Sequence, residues 1–232
     1  MDEARTQTLA IDVGGSRLKM IVLDAHGQPV SERTRVDTPR PATPSAVIDA
    51  LIELAQTQPA VDRVSCGFPG VVVDNVVHTA PNLDGDWSGI ALGEQLSQAL
   101  GVPARVANDA DVQGLGVIEG RGVELVLTLG TGLGAALFVD GHLVPNLELG
   151  HHPFADGKSY EQWLGKAGRS ELGREVWSQT FLKAIATLEH LFNYRALYVG
   201  GGDAKKLTVQ LPDNARITDN QAGLLGGIAL WR

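Results

Sequence analysis

The feature that most constrains this chain is a unit that occurs twice: an apolar strand, a glycine-bearing turn, and a second apolar strand that ends on an aspartate turn. The first copy reads as a strand over residues 9–12, the turn Val13-Gly14-Gly15-Ser16, a strand over 18–23, and a polar turn from Asp24 through Gly27. The second reads as a strand over 125–129, Gly130-Thr131-Gly132, a strand over 133–139, and Asp140-Gly141. Each spells a β-hairpin, because apolar runs of strand length are joined by residues that tolerate tight turns. One such unit near the start of each half predicts a duplicated, two-lobed architecture.

The segments between and after the hairpins alternate in type. Val47, Ile48, Leu51, Ile52 and Leu54 recur at helical spacing after Pro44-Ser45, which predicts a helix over 46–55. Strands are predicted over 61–68 and 71–77, around Pro69-Gly70. A helix over 90–100 is stopped by Gly101 and followed by Pro103. A short strand over 104–107 delivers Asn108 and Asp109, either of which can cap a helix over 109–118. In the second half Leu172, Val176, Trp177, Phe181, Ile185, Leu188 and Leu191 share one side of a single helix predicted over 171–192. A strand over 196–199 then enters Gly200-Gly201-Gly202, and a last helix spans 222–231. The alternation predicts an α/β fold. Its first lobe is expected over 1–107 and its second over 108–220, with the closing segment 221–232 packing back on the first. Asp24, Asp140 and Asp156 read as turn residues, and Trp87, Trp163, Trp177 and Trp231 as packing residues.

Composition removes several function classes. The 232 residues carry a net charge of -8, with 44% hydrophobic and 20% charged residues, as in ordinary globular proteins. That acidic balance argues against general nucleic-acid binding and weighs mildly against any polyanionic partner. The single cysteine, Cys66, excludes an internal disulfide framework and points to a reducing compartment. No apolar run approaches the roughly 20 residues that span a bilayer. The opening MDEARTQTLAID lacks the layout of a signal peptide, so a cytoplasmic location without membrane attachment is expected.

The two turns suit phosphate chemistry. Glycine lets backbone N–H groups approach phosphate oxygens closely. Asp12, with Gly14, Gly15 and Ser16, combines such a loop with a carboxylate placed to hold a hydrated Mg²⁺, and Lys19 points to phosphate or to solvent. Gly130, Thr131 and Gly132 form the second loop and add a hydroxyl donor. No G-x-x-x-x-G-K-[ST] run occurs, which excludes a P-loop enzyme. Gly130-x-Gly132-x-x-Ala135 satisfies the loose dinucleotide fingerprint, but a strand follows it where that motif requires a helix.

The segments DVGGSRLK, GFPGVV, TAPNLDGDW, ANDAD, LTLGTGLGAALFVDG, LVPNLELGH and VGGGDAKK occur in the order found in the ROK sugar kinases. The resemblance extends from Leu9 to Trp231 and is strongest to the polyphosphate glucokinase and polyphosphate/ATP glucomannokinase branch. It implies a two-lobed actin-like ATPase (ribonuclease H-like) fold, with nucleotide or polyphosphate in the cleft and a hexose beside it. It further implies Asp109 as the catalytic base, with Asn82, Asn108, Glu148, His151 and Glu161 at the sugar and Gly200, Gly201 and Gly202 near adenosine or distal phosphates. A homodimer is implied by resemblance alone. Three departures stand out: Arg17 replaces a small residue, the stretch 152–173 is short, and no cysteine cluster follows His151, so no zinc is expected.

The chemistry of the residues agrees with these roles. An aspartate is ionised at neutral pH and ready to accept a proton from an attacking hydroxyl. A carboxylate accepts from paired sugar hydroxyls, and an imidazole donates or accepts. The reaction that the resemblance implies is transfer of a phosphoryl group to the 6-hydroxyl of glucose, and of mannose as a second candidate, from polyphosphate, ATP or both. For polyphosphate the candidate basic residues are Lys158, Lys166, Arg169, Arg174, Lys183, Lys205 and Lys206, most of them also readable as solvated surface. An ATP-only hexose kinase, a sugar-binding regulator without catalysis, and an actin-like polymer module remain the alternatives.

Overall fold

The first hairpin pairs β1 (Thr8–Val13) antiparallel with β2 (Arg17–Leu23), with Asp12 opposite Lys19. The computed structural model describes residues 5–218 and 222–231. β3 (Thr34–Asp37) extends the sheet beyond β2. After α1 (Pro44–Gln56), β4 (Arg63–Phe68) runs parallel to β1. The two-residue strands β5 (Val72–Val73) and β6 (Val76–Val77) form a small hairpin, and α2 (Leu92–Leu100) leads to β7 (Ala104–Asn108), which is parallel to β4. α3 (Asp109–Leu115) follows directly. The sheet order is β3-β2-β1-β4-β7. β1 is buried on both faces, as expected of a central strand covered on each side. Register aligns Asp12 with Gly67, and Gly67 with Ala107, so the first loop and Asn108-Asp109 both leave the sheet at one end. Ligands of open α/β sheets bind at this carboxyl end of the parallel strands.

The second sheet repeats this topology. β8 (Val123–Leu129) and β9 (Leu133–Val139) form the second hairpin, and β10 (His142–Val144) pairs with β9. The small hairpin of β11 (Pro153–Ala155) and β12 (Lys158–Ser159) precedes α4 (Tyr160–Leu164), α5 (Lys166–Leu172) and α6 (Arg174–Phe192). β13 (Ala196–Gly200) and β14 (Ala215–Ile217) complete the order β10-β9-β8-β13-β14, again three antiparallel strands followed by two parallel ones. Two sheets with the same order and sense are the duplication expected from the hairpins, and they match the ribonuclease H-like arrangement that the family resemblance implies. The turns are as expected: Asp140-Gly141 and Asp156-Gly157 each carry two positive φ angles, the geometry of a tight two-residue hairpin turn. Asp24 accepts from the His26 and Gln28 N–H groups.

Each unit has its own core. In the first, Leu51, Phe68, Trp87 and Leu96 pack with the inward residues of β1 and β2. In the second, Leu127, Trp177, Phe181 and Leu188 pack with Leu197 and Val199. The chain divides into one compact unit of Met1–Gly116 with Gly223–Arg232, and another of Val117–Ala222. That division falls after α3 rather than at residue 108, because α3 packs on β4 and β7. α7 (Ala222–Ala229) belongs to the first unit through two glycines: a Cβ at Gly226 would collide with the Val112 carbonyl, and one at Gly227 would press on Ala10 and Ser65. Trp231 closes this segment, with its Nε1 donating to Ser65 Oγ at 2.8 Å and the Arg63 and Arg105 guanidinium groups over its ring.

Three predicted elements differ. The strand expected over 71–77 is broken, because Asp74 (φ 51°) and Asn75 (φ 66°) turn the chain into the β5–β6 hairpin. The helix expected over 171–192 is two helices, because Gly173 sits at φ 75° and interrupts it. α3 stops at Leu115, short of the expected residue 118. Among the described residues no helix is long and apolar enough to cross a membrane.

Candidate active site

In the first unit the loop of Gly14, Gly15 and Ser16 has all three of its carbonyls occupied. Gly14 O accepts from Thr38 Oγ1 at 2.7 Å, Ser16 O from the Thr38 N–H at 3.0 Å, and Gly15 O from the Arg40 guanidinium. The Gly14 N–H closes the turn onto Arg17 O at 3.0 Å. Among the described residues the Gly15 and Ser16 N–H groups have no protein acceptor. Carbonyls drawn back and consecutive N–H groups left open make an anion-binding nest. At its root Lys19 Nζ lies 2.7 Å from Asp12 Oδ2, with both side chains about one-third exposed (32% and 38%). One carboxylate at a phosphate loop is the usual protein share of a Mg²⁺ site, whose remaining ligands are water and phosphate oxygens. Asp12 fits that share.

The end of β7 resolves which residue caps α3. Asn108 Oδ1 accepts from the Ala110 and Asp111 N–H groups at 2.8 and 3.2 Å, and Asn108 Nδ2 donates to Gly70 O at 3.1 Å. The buried Asn108 therefore carries the cap. Asp109 is the first residue of α3 and is partly exposed. It lies against Gly67, where a Cβ would stand 3.4 Å from Asp109 Cα. Asn82, exposed, packs its backbone carbonyl over Gly15, where a Cβ would stand 3.0 Å away.

In the second unit the loop of Gly130, Thr131 and Gly132 repeats the pattern with different partners. Gly130 O and Thr131 O accept from the Lys166 N–H at 3.1 and 3.2 Å, and Gly132 O accepts from the Gly130 N–H at 3.1 Å. Among the described residues the Thr131 and Gly132 N–H groups have no protein acceptor. Glu148 precedes and His151 ends a short 3-10 turn (Leu149–His151), with His151 Nε2 3.3 Å from Glu148 Oε2. Burial raises the Glu148 pKa above the usual carboxylate range; the charge of His151 opposes the rise and that of Glu161 adds to it. Glu161, in α4, accepts from the Leu133 N–H at 3.2 Å. Glu148, His151 and Glu161 are thus brought within electrostatic reach of one another.

Gly200 ends β13, and Gly201 and Gly202 follow it. Gly201 adopts φ 86°, and a Cβ there would collide with the Leu129 backbone, so the turn stacks on the end of β8. A Cβ at Gly202 would meet nothing within 4 Å. Next to it Asp203 bridges Arg169 (3.0 Å) and Lys206 (2.6 Å), and the Arg174 guanidinium donates to Lys206 O. Of the candidate basic residues, Arg169, Arg174 and Lys206 gather here, whereas Lys158 pairs with Glu171 at 3.2 Å. Lys166 and Lys183 are exposed.

Sequence reasoning missed the residues that hold the loops open. Thr38 and Arg40 lie more than twenty positions after the carbonyls they bind. Gly150 and Gly165 pack on Leu133 O and Thr131 O respectively, and only the ELGH motif hinted at the first.

The ROK family profile matches residues 8–162. A polyphosphate glucokinase of Mycobacterium leprae is 31% identical over 96% of this chain and 74% of its own length. A polyphosphate glucokinase of Mycobacterium tuberculosis is 30% identical over 93% of this chain and 88% of its own. The crystal structure of an inorganic polyphosphate/ATP-glucomannokinase from Arthrobacter sp. strain KM superposes with a TM-score of 0.87 at 34% identity, covering 98% of this chain and 100% of that one.

Proposed function

The chain belongs to the ROK family, and from that premise we propose that it is a sugar kinase that phosphorylates the 6-hydroxyl of glucose, with polyphosphate, ATP or both as donor. The observation that carries the reading is the shared hydrogen-bond pattern of the two glycine loops. In each, every carbonyl is engaged and, among the described residues, two successive N–H groups have no protein acceptor beside one hydroxyl, Ser16 or Thr131. Phosphoryl transfer passes through a loose transition state, so preformed donors aimed at phosphate oxygens supply much of the catalysis.

The first unit supplies the base. Asp109 takes the proton from the attacking hydroxyl, while Asn108 is the N-cap residue of α3 and Asp109 Oδ1 accepts from the Ala110 N–H at 2.8 Å. General-base catalysis of this kind contributes about 10²–10⁴-fold. Asp12 would hold a Mg²⁺ ion through water, and the ion would neutralise charge on the transferred phosphoryl oxygens. Lys19, paired with Asp12 here, would exchange that partner for phosphate. Asn82 adds a sugar contact. The second unit supplies Glu148, His151 and Glu161 to the hexose hydroxyls, where a missing hydroxyl would leave a partner unpaired. Gly200, Gly201 and Gly202 lie toward adenosine or the distal phosphates, with Arg169 and Lys206 beside them. Mannose as a second acceptor, a cytoplasmic location and a homodimer complete the proposal.

The test is a coupled assay of glucose and mannose with polyphosphate and with ATP, run on the wild type and on Asp109→Asn. Turnover with at least one donor, lost by about 10²-fold or more in Asp109→Asn while glucose affinity holds, is the expected result. Tight glucose binding without turnover for any donor would instead identify a sugar-binding regulator.

A further inference from the structure

Glu161 sits where two pieces of the second unit's machinery meet. Its Oε2 accepts from the Leu133 N–H, the first residue after the Gly130-Thr131-Gly132 loop. Three glycines from three different segments make room around it. A Cβ at Gly132 would collide with the Glu161 carboxylate. One at Gly150, inside the turn between Glu148 and His151, would strike Leu133 O and reach Glu161 Cβ at 3.5 Å. One at Gly165 would strike Glu161 O and Thr131 O at 2.8 and 2.9 Å. Leu133 is therefore held from both sides: its N–H by Glu161, and its carbonyl against the turn that presents Glu148 and His151. Close packing of this kind transmits displacement, because no void is available to absorb it.

We propose that Glu161 is a positioning residue that couples sugar occupancy to the geometry of the phosphate loop. One carboxylate oxygen holds the loop through Leu133, and the same carboxylate lies within electrostatic reach of Glu148. A hexose that draws on the Glu161 carboxylate shifts the Leu133 bond and so re-aims the Thr131 and Gly132 N–H groups. This role rests on the kinase reading and deepens it: donor binding becomes dependent on the sugar through one side chain. The charge of Glu161 has a second consequence. Glu148 is set by burial, by His151 on its own turn and by Glu161 on α4. Glu148 accepts from sugar hydroxyls when ionised, so glucose KM falls as pH rises through its elevated pKa. Removing the Glu161 charge removes one upward push, and this acid limb moves to lower pH.

Two variants separate the parts. Glu161→Ala loses the acceptor and the charge; Glu161→Gln keeps a carbonyl oxygen for the Leu133 N–H and loses only the charge. With glucose saturating, donor KM is expected to rise about tenfold in Glu161→Ala, the scale of losing a charge-assisted hydrogen bond. It should return to within about twofold of wild type in Glu161→Gln, while that variant's acid limb of glucose KM shifts to lower pH. An unchanged donor KM in Glu161→Ala, or equal losses in the two variants, overturns the coupling. If Glu161→Ala does not fold, Gly132→Ala, whose Cβ would displace the Glu161 carboxylate from Leu133, takes its place, and an unchanged donor KM there overturns the proposal. A wild type that fails to phosphorylate glucose with any donor sinks the kinase reading instead, so the two failures are distinguishable.

Discussion

The two glycine loops leave the same groups open and are held by different means. The first is held from outside the hairpin: Thr38 and Arg40, just beyond the neighbouring edge strand β3, take its carbonyls, and an ion pair of Asp12 and Lys19 stands at its root. The second is held by backbone alone at its carbonyls, through the Lys166 N–H and its own Gly130 N–H. At its root the counterpart of Asp12 is Thr128, paired across the hairpin with Gly134, where no charge is present. Each loop also has a proposed sugar residue packed over a glycine. Over Gly15 the contact is with the Asn82 backbone carbonyl, whereas over Gly132 it is with the Glu161 carboxylate. A duplicated hairpin has thus been specialised by its surroundings: the first loop by charge, the second by a side chain that also serves the sugar turn.

The sharpest way to break this comparison is at the roots. Asp12→Asn should lower kcat by about 10²-fold or more, the scale of losing one preorganised charge-stabilising group. Thr128→Val should change kcat by roughly twofold at most, as expected for a partly exposed position without such a role. Equal losses, measured side by side at saturating glucose and donor, would end the claim that the first loop is the charged one. Next come the glycines. Gly132→Ala forces the Glu161 carboxylate off Leu133 and should raise donor KM about tenfold. Gly15→Ala asks the Asn82 backbone to give by a few tenths of an ångström and should raise it roughly threefold. Initial-rate kinetics with varied donor would show whether that order holds; the reverse order would place the rigid contact in the first unit. The smallest effect is expected from Thr38→Val. It removes one hydroxyl from Gly14 O at a half-solvated loop and should destabilise the fold by about 1 kcal/mol, read from a denaturant midpoint.

How much of this could be read from the chain depends on how local the cause is. Both hairpins were legible because strand periodicity and turn glycines are adjacent in sequence; Asp140-Gly141 forms the turn its residues predict. The broken strand at Asp74-Asn75 and the helix split at Gly173 were harder. Apolar periodicity continues through both, and only the backbone shows that φ turns positive there. The capping ambiguity between Asn108 and Asp109 was visible but unresolvable, since both residue types cap helices. The Gly70 carbonyl, thirty-eight positions away, decides it by orienting the Asn108 carboxamide.

The amino-acid sequence by itself determined the α/β class, the duplication, the two glycine loops and the family, because each is written in neighbouring residues or in ordered motifs. Tertiary structure alone decided which loop carbonyls are held and by what, that Asn108 rather than Asp109 caps α3, and that Glu161 reaches Leu133. The physical reason is that these depend on hydrogen bonds and close approaches between segments tens of residues apart, which exist only once sheet register has set the distances.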